Sequence, residues 1–243
     1  MKMKIKTVSG IALAALVLAR ASSTFAAESE AGFESMFNGH DLSGWDGVKE
    51  LWSVKDGAIT GQTTAEIPAK ENTFLVWTNG TPGDFEMRFL FKLVPGDAAG
   101  FANSGVQYRS KIVKPSYWVV AGYQADMEAG PTYSGILYEE KGRGILASRG
   151  EKVVIDAQGK KQVVGSVGDA AQIEASIKKG DWNDYVIIAK GNHLIHKING
   201  HVTVDVTDED EAKSAKTGVL ALQLHAGHPM MAQFKDMRIK MLK

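Results

Sequence analysis

The stretch Asp84-Phe-Glu-Met-Arg-Phe-Leu-Phe-Lys-Leu-Val94 alternates strictly: Phe85, Met87, Phe89, Phe91 and Leu93 fall on one side of an extended chain, with Glu86, Arg88 and Lys92 on the other. Period-two patterning fits a β-strand with one face buried and one wet, and does not fit a helix. The pattern recurs. In Ala121 to Gly130, Tyr123, Ala125 and Met127 oppose Gln124, Asp126 and Glu128; in Val219 to His225, Leu220, Leu222 and Leu224 oppose Gln223 and His225. Lys55-Asp56-Gly57 and Asn199-Gly200 read as hairpin turns between short apolar runs. Helical patterning is confined to Asp169–Lys178 and Asp208–Lys216, and residues 143–167 read as loops or a small hairpin. Many antiparallel strands, short turns and few helices predict an all-β, antiparallel two-sheet sandwich of the jelly-roll kind.

With no cysteine in 243 residues, disulfides, thiolate metal sites and cysteine nucleophiles are excluded. The core alone must hold such a fold, and 44% hydrophobic residues supply one. The 28 basic and 28 acidic residues cancel, which argues against a nucleic-acid partner. Lys2, Lys4 and Lys6 precede the apolar run Ile11–Ala19 and the small residues Ser22 to Ala27, the order of a signal peptide. The run is too short for a stable membrane span. Residues 1–26 are therefore expected to be removed, 27–243 to form one domain, and the mature protein to be periplasmic or secreted with no membrane span.

A row of an amide and two carboxylates on one strand face is costly to bury without partners or a use. Four strands show such faces: Asn103, Gln107 and Arg109; Gln124, Asp126 and Glu128; Glu139; Gln223 and His225. If they share a sheet, these side chains line one groove. Any half-solvated sheet has a polar outer face, but amides, acids, arginine and histidine beside Tyr117, Trp118 and Tyr133 suit sugar hydroxyls and sugar rings. The histidines show no tight metal-ligand spacing. The acidic run Asp205, Asp208, Glu209 and Asp210 is a candidate for a divalent cation such as Ca²⁺, against its reading as a solvated charge run.

Gln124-x-Asp126-x-Glu128 resembles the E-x-D-x-E strand of laminarinase-type retaining glycosidases, with the first carboxylate replaced by an amide. Retaining hydrolysis needs a carboxylate nucleophile there, so Gln124 disfavours that chemistry. A broader resemblance covers Phe33 to Leu242. Phe33-Glu-Ser-Met-Phe-Asn-Gly-His-Asp-Leu-Ser-Gly-Trp45, Asn103-Ser-Gly-Val-Gln-Tyr-Arg-Ser110, residues 180–201 and the closing Phe234-Lys-Asp-Met-Arg-Ile-Lys240 are similar to the DUF1080, or 3-keto-disaccharide hydrolase, family. The resemblance implies a concanavalin-like jelly roll that cleaves glycosides already oxidised at C3. A 3-ketone acidifies the C2 hydrogen, so the site needs a base, an acid and a donor for the enolate oxygen. On that basis Asp126 or His225 is expected as the base, Arg109 as the enolate donor, and Glu139 or Tyr138 as the acid. Asn103, Gln107, Gln124 and Gln223 are expected to hold hydroxyls, and Arg143 to sit on the rim. A non-catalytic, lectin-like carbohydrate-binding module is the alternative on the same fold.

N-terminal sequencing of exported protein is expected to begin within Ala26 to Ser29; a start elsewhere contradicts the proposed cleavage after Ala26.

Overall fold

The computed structural model describes residues 31–243; the expected signal segment, 1–26, lies outside the described residues. The strands in chain order are β1 (Glu34–Ser35), β2 (Trp45–Asp46), β3 (Trp52–Lys55), β4 (Ala58–Thr63), β5 (Thr73–Trp77), β6 (Phe85–Pro95), β7 (Asn103–Lys114), β8 (Val119–Glu128), β9 (Leu137–Glu140), β10 (Gly144–Ala147), β11 (Glu151–Ile155), β12 (Lys161–Ser166), β13 (Asn183–Lys190), β14 (His193–Ile198), β15 (His201–Asp208), β16 (Val219–Leu224) and β17 (Met230–Met241). Among the described residues one α-helix forms, α1 (Ala170–Ala175), capped by Asp169, whose carboxylate accepts from the Gln172 amide at 2.8 Å. The second expected helix is absent, and residues 211–213 form only a turn.

Two sheets result. The larger runs β12-β11-β15-β14-β13-β6-β17-β4-β3, with β1 beside β17; the smaller runs β10-β9-β8-β7-β16-β5-β2. All pairs are antiparallel except β11 with β15. The two expected hairpin turns form with left-handed backbone at both central residues, Asp56 and Gly57 (φ 51° and 70°), and Asn199 and Gly200 (φ 49° and 83°). That geometry matches the twist of the strands they join. Residues 143–167 hold β10 and the β11–β12 hairpin.

The sheets bury their facing sides against each other. Phe85, Met87, Phe89, Phe91 and Leu93 from β6 meet Tyr123, Ala125 and Met127 from β8 and Leu220, Leu222 and Leu224 from β16 in one core. Tyr185 stacks on Phe89 with ring centroids 5.3 Å apart. His196 is fully buried between the Tyr108 hydroxyl at 3.0 Å and the Tyr185 hydroxyl at 3.4 Å, and burial holds it neutral by lowering its pKa to about 3.

Two polar clamps tie the layers, and both use residues expected in the groove. Arg143, in the β9–β10 turn, pairs with Glu139 of β9 at 2.8 Å, Asp208 of β15 at 2.7 Å and Asp210 at 3.3 Å. Tyr123 of β8 donates its hydroxyl to Asp208 at 2.5 Å. Arg109 donates to the carbonyl oxygens of Gly83 at 2.9 Å and Gly191 at 2.7 Å, and to Asp84 at 2.9 Å. Its position follows from a β-bulge. Between Tyr108 and Lys111 the chain takes one residue more than its partner β8, and Arg109 adopts φ 48°. A bulge breaks the alternation of faces, so Arg109 leaves the side its neighbours occupy.

Truncating the fully buried Leu222 to Ala is expected to destabilise by about 2–5 kcal/mol. Chemical denaturation measures it, and a near-neutral shift would mean that the faces of β16 are reversed.

Candidate functional site

The groove lies on the outer face of the smaller sheet. In β7 and β8, Gly105 pairs with Asp126 and Gln107 with Gln124; in β9, Tyr138 pairs with Gln124 and Glu140 with Gly122. On the far side of β7, β16 supplies Gln223, followed by His225 just past the strand end. Neighbouring strands lie about 4.8 Å apart, so Asp126 and Gln223, separated by β7, face each other across about 10 Å. Gly105 is the residue between them. A Cβ there would meet the Gln124 side chain at 2.5 Å, so the missing side chain makes room for Gln124 to lie over β7.

The resulting cavity is about 320 Å³. Asn103, Gln124, Asp126, Tyr138, Gln223 and His225 line it as the strand patterns anticipate. Asn72, Glu140, Ile136 and Ile145 line it without having been anticipated, and Tyr133 stands at its edge as an exposed ring.

The sequence-derived set needs four corrections. Arg109 does not reach this cavity because the bulge turns its guanidinium into the loops around Gly83 and Gly191. Glu139 shares a face with the fully buried Leu137, so it points inward to Arg143; its neighbour Glu140 is the groove carboxylate. Arg143 is held by Glu139, Asp208 and Asp210 and lines a different cavity. Gln107 is also fully buried and outside the cavity lining, with its amide hydrogen-bonded to that of Gln124 at 2.7 Å, so it positions Gln124. The acidic run is engaged as well. Asp208 and Asp210 meet Arg143, and Asp205 meets His193 at 2.8 Å and Lys152 at 3.2 Å. Among the described residues no group of three or more His, Cys, Asp or Glu side chains is arranged to hold a metal ion.

The ionisable groups of the cavity differ in state. Asp126 is 6% exposed and its nearest polar neighbours are amides: Asn103 Nδ2 at 3.4 Å and the Gln124 side chain. Burial pushes its pKa up to about 8, the amides only partly offsetting it, so Asp126 carries a proton at neutral pH. Glu140 is raised as well, first by burial, against a weak hydrogen bond from Asn72 at 3.5 Å. Tyr138 is raised by burial and then by the carboxyl groups of Glu140 and Asp126. His225 places Nδ1 2.5 Å from the Ala226 carbonyl oxygen. A carbonyl only accepts, so Nδ1 is the nitrogen that carries a hydrogen here, and Nε2 is the nitrogen left to meet a ligand. The Phe101 ring packs edge-on against this imidazole at 5.3 Å. Asn72 fixes the turn that follows, accepting from the Ala226 amide at 3.0 Å. The cavity thus joins an imidazole, a carboxyl group that burial favours in its neutral form, and several amides.

Comparison with solved structures agrees with the architecture. A protein from Parabacteroides distasonis described as a candidate glycosyl hydrolase aligns over 87% of this chain and 94% of its own, at 20% identity and TM-score 0.56. A second one aligns over 86% and 99%, at 17% identity and TM-score 0.54. The carbohydrate-binding module CBM66 from Bacillus subtilis aligns over 86% and 95%, at 12% identity and TM-score 0.51. At these identities the likeness concerns the fold. No curated protein matches the chain. The sequence profile of the 3-keto-alpha-glucoside-1,2-lyase-like domain matches residues 32–240, nearly the whole described chain, and the protein belongs to that family.

Proposed function

We propose that the protein cleaves 3-keto-glycosides by deprotonation at C2 and β-elimination at C1, with water adding afterwards, and that it does so outside the cytoplasm. Family membership supports the substrate class. The observation that carries the chemistry is the pairing, in one cavity, of an imidazole whose Nδ1 is tied to the Ala226 carbonyl oxygen, leaving Nε2 to the ligand, and a carboxyl group whose pKa burial pushes up to about 8. The lysine-led apolar segment at 1–26 supports export.

In this reading His225 is the base. Its Nε2 takes the C2 hydrogen, and the C2–H electrons pass into the C3 carbonyl as an enolate. Asp126, as the neutral acid, hydrogen-bonds the developing enolate oxygen, the role first expected of Arg109. The ketone then re-forms, the C1=C2 double bond forms and the C1–O bond breaks. Tyr138 or Glu140 protonates the leaving oxygen; Glu140 replaces Glu139 in that role because only Glu140 faces the cavity. Addition of water across C1=C2 completes hydrolysis. No step uses a carboxylate nucleophile, which is consistent with an amide at position 124.

Aglycone release from a 3-keto-glucoside, but not from the unoxidised parent, tests this reading. Sugar binding without release from either would favour the carbohydrate-binding-module reading. His225→Ala is expected to lower turnover roughly 10²–10⁴-fold while leaving binding mostly intact; wild-type turnover in this variant would remove His225 from the role of base.

A second prediction concerns pH. Because the donor form of Asp126 is lost as pH rises through about 8, activity should fall along that limb, and Asp126→Asn should flatten it at a lower rate. The stability effect has the same sign. The unfolded chain releases this proton near the ordinary carboxyl value of 3.8 and the folded chain near 8, so the contribution of Asp126 to stability is full below about pH 4 and lost as pH rises to about 8. Asp126→Asn should therefore stabilise the protein at pH 8 relative to the wild type, by roughly 1–3 kcal/mol. Melting curves at pH 5 and pH 8 measure this, and an equal effect at both would contradict the assignment.

A further inference from the structure

The Gln223 amide stands out in the groove. Gln223 is 1% exposed and lines the cavity, yet its Oε1 has no hydrogen-bond partner. Other polar groups on the cavity floor are engaged: Gln124 with Gln107 and Asp126, Asn103 with Asp126, Asn72 with Ala226 and Glu140. The Gln223 main chain is also engaged, its carbonyl accepting from the Ser104 hydroxyl at 2.6 Å. A buried acceptor left open is costly to the free protein. Its neighbours on β16 do not account for it. Leu222 and Leu224 fill the core on one side, and Ala221, on the same face as Gln223, packs into a small apolar cluster with Phe74 and Val76. A methionine or leucine would extend that cluster without an open polar atom.

We propose that Gln223 is a specificity-determining residue that reads a hydroxyl of the oxidised sugar ring, at the carbon on one side of the ketone, so that the site selects 3-keto sugars hydroxylated there over their deoxy counterparts. This rests on the reading that the groove takes a 3-keto-glycoside. The geometry assigns the position. His225 follows Gln223 by two residues, about 7 Å along the strand direction, and Asp126 faces Gln223 from two strands away. A ring whose C2 hydrogen meets His225 and whose C3 oxygen meets Asp126 offers its 2- or 4-hydroxyl to the amide between them. A site built to bond a hydroxyl rejects the analogue that lacks it, because its own polar atom then stays open.

The test uses methyl 3-keto-glucoside and its 2-deoxy and 4-deoxy counterparts. Binding is measured by calorimetry on His225→Ala protein, which keeps the ligand uncleaved, with and without Gln223→Met or Gln223→Leu. One of the two deoxy sugars is expected to bind roughly 10–100-fold more weakly than the parent when Gln223 is present. In both Gln223 variants that ratio should fall to within about threefold, while the ratio for the other deoxy sugar stays unchanged. At least one of the two variants, made in otherwise wild-type protein, should also melt higher than wild type without ligand, which a structural glutamine would not allow. The proposal is overturned if both ratios survive the substitutions, if neither deoxy sugar is discriminated, or if both variants melt lower. If wild-type protein cleaves no 3-keto-glycoside yet the binding ratios behave as expected, the proposed reaction fails and the hydroxyl assignment stands.

Discussion

The sandwich is held by two sheet faces pressed together in a chain without a cysteine. Every strand that crosses this interface must present apolar side chains at every second position, and the pleat then assigns the residues between them to the outside. Burying Tyr123, Ala125 and Met127 places Gln124 and Asp126 on the outer face of β8; burying Leu222 and Leu224 does the same for Gln223 and, one step on, His225. The groove is thus the reverse side of the core. Its side chains are positioned by rigid strands, and disturbing the core packing of β8 or β16 would shift the site with it.

This coupling explains how much could be read in advance. Where alternation runs unbroken, as in β6, β8 and β16, residue side and burial follow directly from the sequence, and six of the anticipated residues do meet in one cavity. Arg109 departs from the alternation because it stands in the bulge itself, between Tyr108 and Lys111, and no local pattern in Asn103–Lys111 announces a left-handed residue there. At Glu139 no bulge intervenes. Its face was legible, since Leu137 lies two residues earlier and is apolar, and the same reasoning gives Glu140 to the groove. Arg143 and Asn72 act through contacts far along the chain, to Asp208 and Ala226, which no spacing rule reaches. The second expected helix gave way to a turn in which the Asp210 carboxylate accepts from the Ala212 and Lys213 amides and pairs with Arg143.

The molecule buries carboxyl groups in two contrasting ways. On the core side, Glu139, Asp208 and Asp210 converge on one guanidinium, with the Tyr123 hydroxyl adding a donor. A buried charge is tolerable when it is paired and hydrogen-bonded, and removing one partner from such a set is strongly destabilising. The cluster spans both sheets, β9 on one side and β15 on the other, so its geometry suits a fastening. Its partners are mutually satisfied, with the Arg143 charge further secured by them.

Asp126 has comparable burial and no such cation. Its neighbours are amides, and a second carboxylate on the same strand, Glu128, raises its pKa further. Evaluated as structure alone this is a poor arrangement, because an asparagine would occupy the same place without a titrating group. In the reaction proposed above it is the neutral acid that donates to the ketone oxygen. The open Gln223 acceptor lies across β7 from it on the same face. At the clamps around Arg109 and Arg143, by contrast, the buried charges are matched to partners. Two unmet needs in one cavity, a carboxyl group that burial keeps from ionising and an acceptor without a donor, are what the proposed function rests on, because a ligand in the groove would meet both.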